Sequence, residues 1–257
     1  MQLTRRAALG GVELDEVDES VVIREIDPGT PPETVSTAER MGGSGSRVTG
    51  AHFGTLEIVI TFGIDLPKTM LAERRRVYDE CVKWARRLGW LTISTMPDRR
   101  AWVEKATVVS PGEMWDWTKD FTITFRCFSV PYWQDVTPVS ASAASVANGS
   151  VMLEVPGTAE TVIDVSCRNV SGQKITNIYI TAGDKNIDLP GIDLAANGLL
   201  TIDHTNDGLL RIRKGSTSVY HLYTGSDDLY AQPGPVQVHV RASRAVELKA
   251  SCCGRWV

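Results

Sequence analysis

The chain has 257 residues, 42% hydrophobic and 23% charged, the composition of a globular protein with room for one large domain or two of ordinary size. Its net charge is -4, with no long run of one sign, so a nucleic-acid footprint is not expected. No apolar stretch approaches the roughly 20 residues of a membrane helix, so membrane insertion is not expected either.

The N-terminus has Arg5 and Arg6 but no apolar segment after them, so no secretory signal is expected. Leu9-Gly10-Gly11-Val12 reads as a turn and Val21–Ile26 as a strand, with an acidic loop, Glu13 to Glu19, between them. Residues 28–55 carry Pro28-Gly29, Pro31-Pro32 and Gly42-Gly43-Ser44-Gly45 and read as a long loop. From Thr55 to Gly63, Leu56, Ile58, Ile60 and Phe62 alternate with Glu57, Val59 and Thr61, the period of a half-buried strand.

Pro67 to Leu88 reads as the one helix. Met70, Val77, Cys81, Trp84, Ala85 and Leu88 form its apolar stripe, and Gly89 stands at the C-cap position. Arg74, Arg75, Arg76, Lys83, Arg86 and Arg87 are assigned to a solvated outer face. Strands are predicted at 90–94 and 101–109, with a turn at Met96–Arg100. A long strand signal then runs from Trp115 to Ser129. Phe121, Ile123, Phe125 and Cys127 share one face of it, and Pro131-Tyr132-Trp133 stops it.

Val136 to Ser150 has no charged side chain and is rich in Ser, Ala, Thr, Val, Gly and Asn, so it reads as a linker. Beyond it every element is a strand: 151–155, 161–167, 177–181, 186–189, 199–202, 209–213, 219–223, 236–241 and 246–250. Turn signals such as Asn197-Gly198 and Asp207-Gly208 separate them. Short strands at this spacing predict a sandwich or jelly roll. The expected organisation is mainly β: an α+β first domain over 1–135, sandwich- or barrel-like with one long helix, then a linker at 136–150 and a β-sandwich at 151–257.

The chemistry-bearing residues form no recognisable catalytic set, and no cofactor or metal is expected. Ser44 lies in a Gly-rich loop without the flanking elements of a nucleophile elbow. His52, His204, His221 and His239 have no metal-ligand spacing. Asp203-His204 could orient an imidazole, but no activated Ser or Cys can be placed beside it. Asp184-Lys185-Asn186-Ile187-Asp188 starts like a calcium loop, but Leu189 and Ala195 occupy the places of the Gly and the bidentate Glu, so a turn is expected. Cys81, Cys127, Cys167, Cys252 and Cys253 include no CxxC pair and read as free thiols of a reducing compartment. Cys252 and Cys253 would point to opposite faces of a strand. The sequons at Asn148 and Asn169 are attributed to chance. Trp115 and Trp117 share a strand face and read as core or interface packing, with a sugar-stacking surface as the other reading.

The order of elements resembles the distal tail protein family of long-tailed phages. Phe125-Arg126-Cys127-Phe128-Ser129-Val130-Pro131-Tyr132-Trp133 resembles the end of that family's first domain. Leu200-Thr201-Ile202-Asp203-His204 and Gly234-Pro235-Val236-Gln237-Val238-His239-Val240 resemble segments of its second. Val130 and the Gly-rich loop at 42–46 depart from the family's usual pattern. The resemblance implies a structural virion protein, not an enzyme. It implies a homohexameric ring at the tip of the tail tube, built by the first domain, between the tail tube protein and the tail-tip hub protein. A galectin-like second domain would project outward toward receptor-binding parts or a host glycan. On this reading the 28–55 loop and the strands at 55–63 and 115–129 carry ring and tube contacts. The alternative is a carbohydrate-binding adhesin that uses 151–257, for which Tyr179, Tyr220, Tyr223, Tyr230 and Trp256 are the candidate aromatics. A glycosidase accessory or hydrolase is the weakest reading, because no paired carboxylates can be recognised.

Overall fold

The computed structural model describes residues 5–39, 46–109, 120–226 and 228–257. The chain divides into two compact units, Met1–Trp133 and Gln134–Val257. It is mainly β, as expected, with one α-helix among the described residues.

The first unit contains β1 (Ala7–Leu9), β2 (Val12–Glu13), β3 (Val21–Asp27), β4 (Glu33–Glu39), β5 (Ser46–Phe53), β6 (Leu56–Ile64), α1 (Leu71–Ala85), β7 (Gly89–Ile93), β8 (Met96–Val103), β9 (Lys105–Val108) and β10 (Asp120–Cys127). A short β11 (Trp133–Asp135) spans the division. The core is built on β6 and β10, paired antiparallel from Asp120 opposite Gly63 to Cys127 opposite Leu56. Alternation sends Leu56, Ile58, Ile60 and Phe62 of one strand, and Phe121, Ile123, Phe125 and Cys127 of the other, to the same buried face. Each such side chain contributes about 1.5–3 kcal/mol of burial. The aromatic rings of α1 close over this face: Tyr78 meets Phe121 at 5.0 Å and Trp84 meets Phe125 edge-on at 5.9 Å.

Several local expectations are corrected. Pro67 is not in the helix, which starts at Leu71. Met70 is its N-cap and is exposed. The buried stripe is Arg74, Val77, Tyr78, Cys81, Trp84 and Ala85, so Arg74 belongs to the inner face; it stands three and four residues before Val77 and Tyr78, on the same side of the helix. Beyond Arg86 the chain reverses through Leu88 (φ 56) and Gly89 (φ 107), and Gly89 opens β7 rather than capping the helix. Met96 pairs with Ile93 and Arg100 with Thr92, so the predicted turn at Met96–Arg100 is strand. The expected loop at 28–55 contains the hairpin β4–β5. Pro28, Gly29, Pro31 and Pro32 precede β4 and Gly50 lies within β5 opposite Ser36, and residues 40–45, with Ser44, lie outside the described residues. So do Trp115 and Trp117; the long strand is described from Asp120 and ends at Cys127.

The second unit contains β12 (Val139–Val155), β13 (Thr161–Val162), β14 (Asp164–Asn169), β15 (Ile175–Ala182), β16 (Lys185–Leu194), β17 (Leu199–His204), β18 (Leu210–Lys214), β19 (Thr217–Ser218), β20 (Thr224–Gly225), β21 (Tyr230–Ala231), β22 (Gly234–Cys252) and β23 (Arg255–Trp256). Its frame is the long antiparallel pair β12–β22, with register shifts around Val146. Along its other side β22 changes partner. Val238–Ala242 pair with β15, and Val246–Ser251 with β14. One strand thereby serves two groups, β15-β16-β20 and β14-β17-β18-β19, which is how sandwich corners are made. Val238, Val240, Val246, Leu248 and Ala250 all enter one buried cluster.

The expected linker at 136–150 is therefore strand from Val139 onward. Its small apolar residues Ala141, Ala143 and Val146 pack against the cluster, so the absence of charge reflects contact with a core. The strands predicted at 236–241 and 246–250 are halves of one. The strand predicted at 219–223 is a 3-10 turn over Tyr220–Leu222.

Candidate assembly surfaces

Alternation places Thr61 opposite Thr122 and Thr124 opposite Thr107 on the face of the sheet β3-β6-β10-β9 that points away from the core. Ion pairs frame this hydroxyl band, Arg24–Asp120 at 3.6 Å and Arg126–Glu57 at 2.7 Å. Among the described residues, β3 and β9 have no further strand partner, so the sheet presents two open edges.

The hairpin β4–β5 forms a two-stranded sheet of its own, an arrangement that is marginal in water without further packing. Its base is tied down by the aromatic stop after β10. Tyr132 packs edge-on against Phe53 at 5.7 Å. The buried Trp133 donates from Nε1 to the Pro28 carbonyl at 3.1 Å. The chain just before this stop is fixed by Glu104, whose carboxylate accepts from the backbone amides of Phe128 and Ser129 at 2.6 and 2.7 Å and from Ser129 Oγ at 2.6 Å.

A third surface had no signal in the sequence. In the strand run β2-β1-β7-β8, Ala7, Leu9, Leu91, Ile93, Ala101 and Val103 are buried. The opposite face carries Trp90 and Trp102, directly paired across strands, with Arg100 beside them. Only the cross-strand register brings these three together.

In the second unit the structure gives His204 a partner on each side. Nδ1 lies 2.8 Å from Asp164 Oδ1 and Nε2 lies 2.6 Å from Asp228 Oδ1. Burial alone would push the imidazole down. The hydrogen bonds to Asp164 and Asp228, with the charges of both, outweigh it and hold the pKa at about 9. The neighbouring Asp203 turns away to Arg211 and Arg213, at 3.0 and 2.6 Å. His204 is thus a buried cation between strands with no nucleophile bonded to it, in keeping with a structural role.

The remaining candidates are dispersed. His52 and His221 are exposed, and His239 Nε2 lies 2.8 Å from Asn148 Oδ1. Gly183-Asp184 is the tight turn joining β15 to β16, and Lys185–Asp188, expected in that turn, open β16. Cys81, Cys127, Cys167 and Cys252 are buried thiols, pushed up to about 12 by burial, and Cys253 is half-buried. Of the five aromatics named for sugar stacking, Tyr220 and Tyr223 are in ring contact, at 5.4 Å. Tyr179 stands on β15 under Arg241, Tyr230 is on β21, and Trp256 donates to Asp135 at 2.7 Å.

No protein-family model matches the chain, and no curated protein matches it. Solved structures do. The SPP1 Dit (gp 19.1) protein, described as a paradigm of hub adsorption apparatus in phages that infect Gram-positive bacteria, is similar with a TM-score of 0.66 at 15% identity, over 96% of this chain and 98% of that one. A chain of the phage P2 baseplate in its activated conformation with Ca is similar with a TM-score of 0.51 at 11% identity, over 98% of each. The likeness read from the order of elements is thus matched in three dimensions: over nearly its whole length, this chain has the fold of a phage distal tail and baseplate component.

Proposed function

We propose that the chain is a structural component of a phage tail tip: one protomer of a six-fold ring that joins the tail tube to the tail-tip hub protein and the host-recognition apparatus. The observation that carries this reading is the likeness to the SPP1 Dit protein over 96% of this chain and 98% of that one, which takes in both units. The first unit builds the ring and the second carries outward parts. Two features of the first unit support the reading. The sheet β3-β6-β10-β9 has open edges at β3 and β9 among the described residues, and different surfaces meeting head to tail generate a ring when the rotation closes. The hairpin β4–β5, with exposed Val35, is an arm suited to a neighbouring chain. Sedimentation velocity or native mass spectrometry of the full chain tests the ring: the expected species is six times the 28.1 kDa of the protomer.

The second reading, a carbohydrate-binding role for the sandwich, draws on the outer face of β12, β22, β15 and β16. There Arg241 lies 5.3 Å from the Tyr179 ring, His239 contacts Asn148, and Gln237 donates to Ser150. Rings beside polar groups suit a sugar. A glycan array probed with the full chain and with its Tyr179→Ala and Arg241→Ala variants tests it. Binding lost in both variants supports a sugar site on this face.

A further inference from the structure

The outward face of β7-β8 and the turn that follows β2 carry charged groups of opposite sign that have no ion pair among the described residues. On the β8 side, the rings of Trp90 and Trp102 meet at 5.2 Å and 68°. The Arg100 guanidinium lies 4.0 Å from the Trp90 centroid. Arg100 Nε is buried without an acceptor, and among the described residues Arg100 forms no ion pair. On the β2 side, the turn that follows β2 holds Asp15, Glu16 and Glu19. Asp15 Oδ1 is buried without a donor. Among the described residues, none of these three carboxylates has an ion-pair partner. The nearby cations are already engaged, Arg6 with Glu13 at 3.2 Å and Arg76 with Asp18 at 2.8 Å.

The two groups cannot satisfy each other within one chain. Glu13, Ala8, Thr92 and Arg100 stand in a single cross-strand row, so three strand spacings, about 14 Å, separate its ends. Asp15, Glu16 and Glu19 follow Glu13 in the chain, at the β2 end of that row. An unpaired guanidinium held flat on a tryptophan face is at once a donor for a carboxylate and an apolar surface, and Trp and Arg are the residue types that dominate binding energy at interfaces.

We propose that a second copy of this chain seats its Asp15–Glu19 turn on the Trp90–Trp102–Arg100 face. The two patches are different surfaces of the first unit, so the contact is head-to-tail, the kind that closes into a ring. The inference rests on the ring reading above and names a contact within it. Carboxylates of the incoming turn meet Arg100, and the tryptophan pair shields the charges from water, which strengthens their attraction.

Self-association of the full chain is measured by sedimentation velocity for the wild type, Arg100→Glu, the pair Glu16→Lys with Glu19→Lys, and all three substitutions together. Melting temperatures identify any variant that fails to fold, with Arg100→Gln as the milder replacement. The charge reversal on either side is expected to weaken association about thirtyfold. The triple variant, with both signs exchanged, is expected to recover most of it, and wild-type association to weaken as salt is raised. Rings of unchanged affinity in both reversed proteins would place the contact elsewhere and leave the ring reading intact. Weakening by Arg100→Glu alone would mean that something other than the acidic turn occupies the face. A wild-type chain that stays at 28.1 kDa at every concentration would overturn both this contact and the ring.

Discussion

His204 Nε2 lies 2.6 Å from Asp228 Oδ1, and both side chains are buried. This pair ties the end of β17 to the segment leading into β21, where Asp228 Oδ1 also accepts from the Leu229 amide at 2.7 Å. Asp164 completes the bracket from β14. Because folding raises the His204 pKa from 6.5 to about 9, the native state takes up a proton there. The resulting stability is fully present below pH 6.5 and is lost as the pH rises through 9. Thermal unfolding followed from pH 6 to pH 10 is expected to show a falling midpoint on the alkaline side, and the fall is expected to be much smaller in His204→Gln. That variant leaves Asp228 buried without its cation and is expected to cost about 3–5 kcal/mol at pH 7.

The pairing of β6 with β10 predicts opposite outcomes for adjacent residues. Phe125 is fully buried, in contact with Trp84, and Phe125→Ala is expected to cost about 3–5 kcal/mol in a urea titration. Thr124 points to the other face, opposite Thr107 and Val59. Thr124→Ala is expected to stay within about 0.5 kcal/mol.

Glu104 holds the bend after β10 through three hydrogen bonds to Phe128 and Ser129. Glu104→Ala strips two backbone amides of their charged acceptor. A loss of about 1–3 kcal/mol is expected. Hydrogen exchange is expected to speed up at residues 128–129 while the centre of β10 stays protected.

Residues 41–47 take in most of the chain between β4 and β5 and the first two residues of β5, Ser46 and Arg47. If the hairpin is the arm that contacts a neighbour, their deletion is expected to block tail assembly while the isolated chain still folds. Normal tails from this variant would remove the hairpin from the assembly account.

Some of this architecture was legible in the sequence. Phe121, Ile123, Phe125 and Cys127 announced β10 by strict alternation, and Val77, Cys81, Trp84 and Ala85 announced α1 by helical spacing, because burial of one face imposes those periods. Val139–Ser150 was misread as a linker: its residues are small, and a strand whose apolar side chains are alanine and valine carries little hydrophobic contrast. Glu33–Glu39 was masked by the Pro and Gly residues before and after it. The His204 bracket was out of reach because Asp164 and Asp228 stand 40 and 24 residues away. Trp90, Thr92 and Trp102 looked like ordinary strand residues and Arg100 like part of a turn, and only the register of β7 on β8 makes them one surface.

Negative-stain electron microscopy of the purified full chain is the decisive measurement for the ring. Class averages are expected to show a six-fold ring with a central opening, assembled from 28.1 kDa protomers. Fields of single protomers at high protein concentration, with no closed assembly, would contradict it.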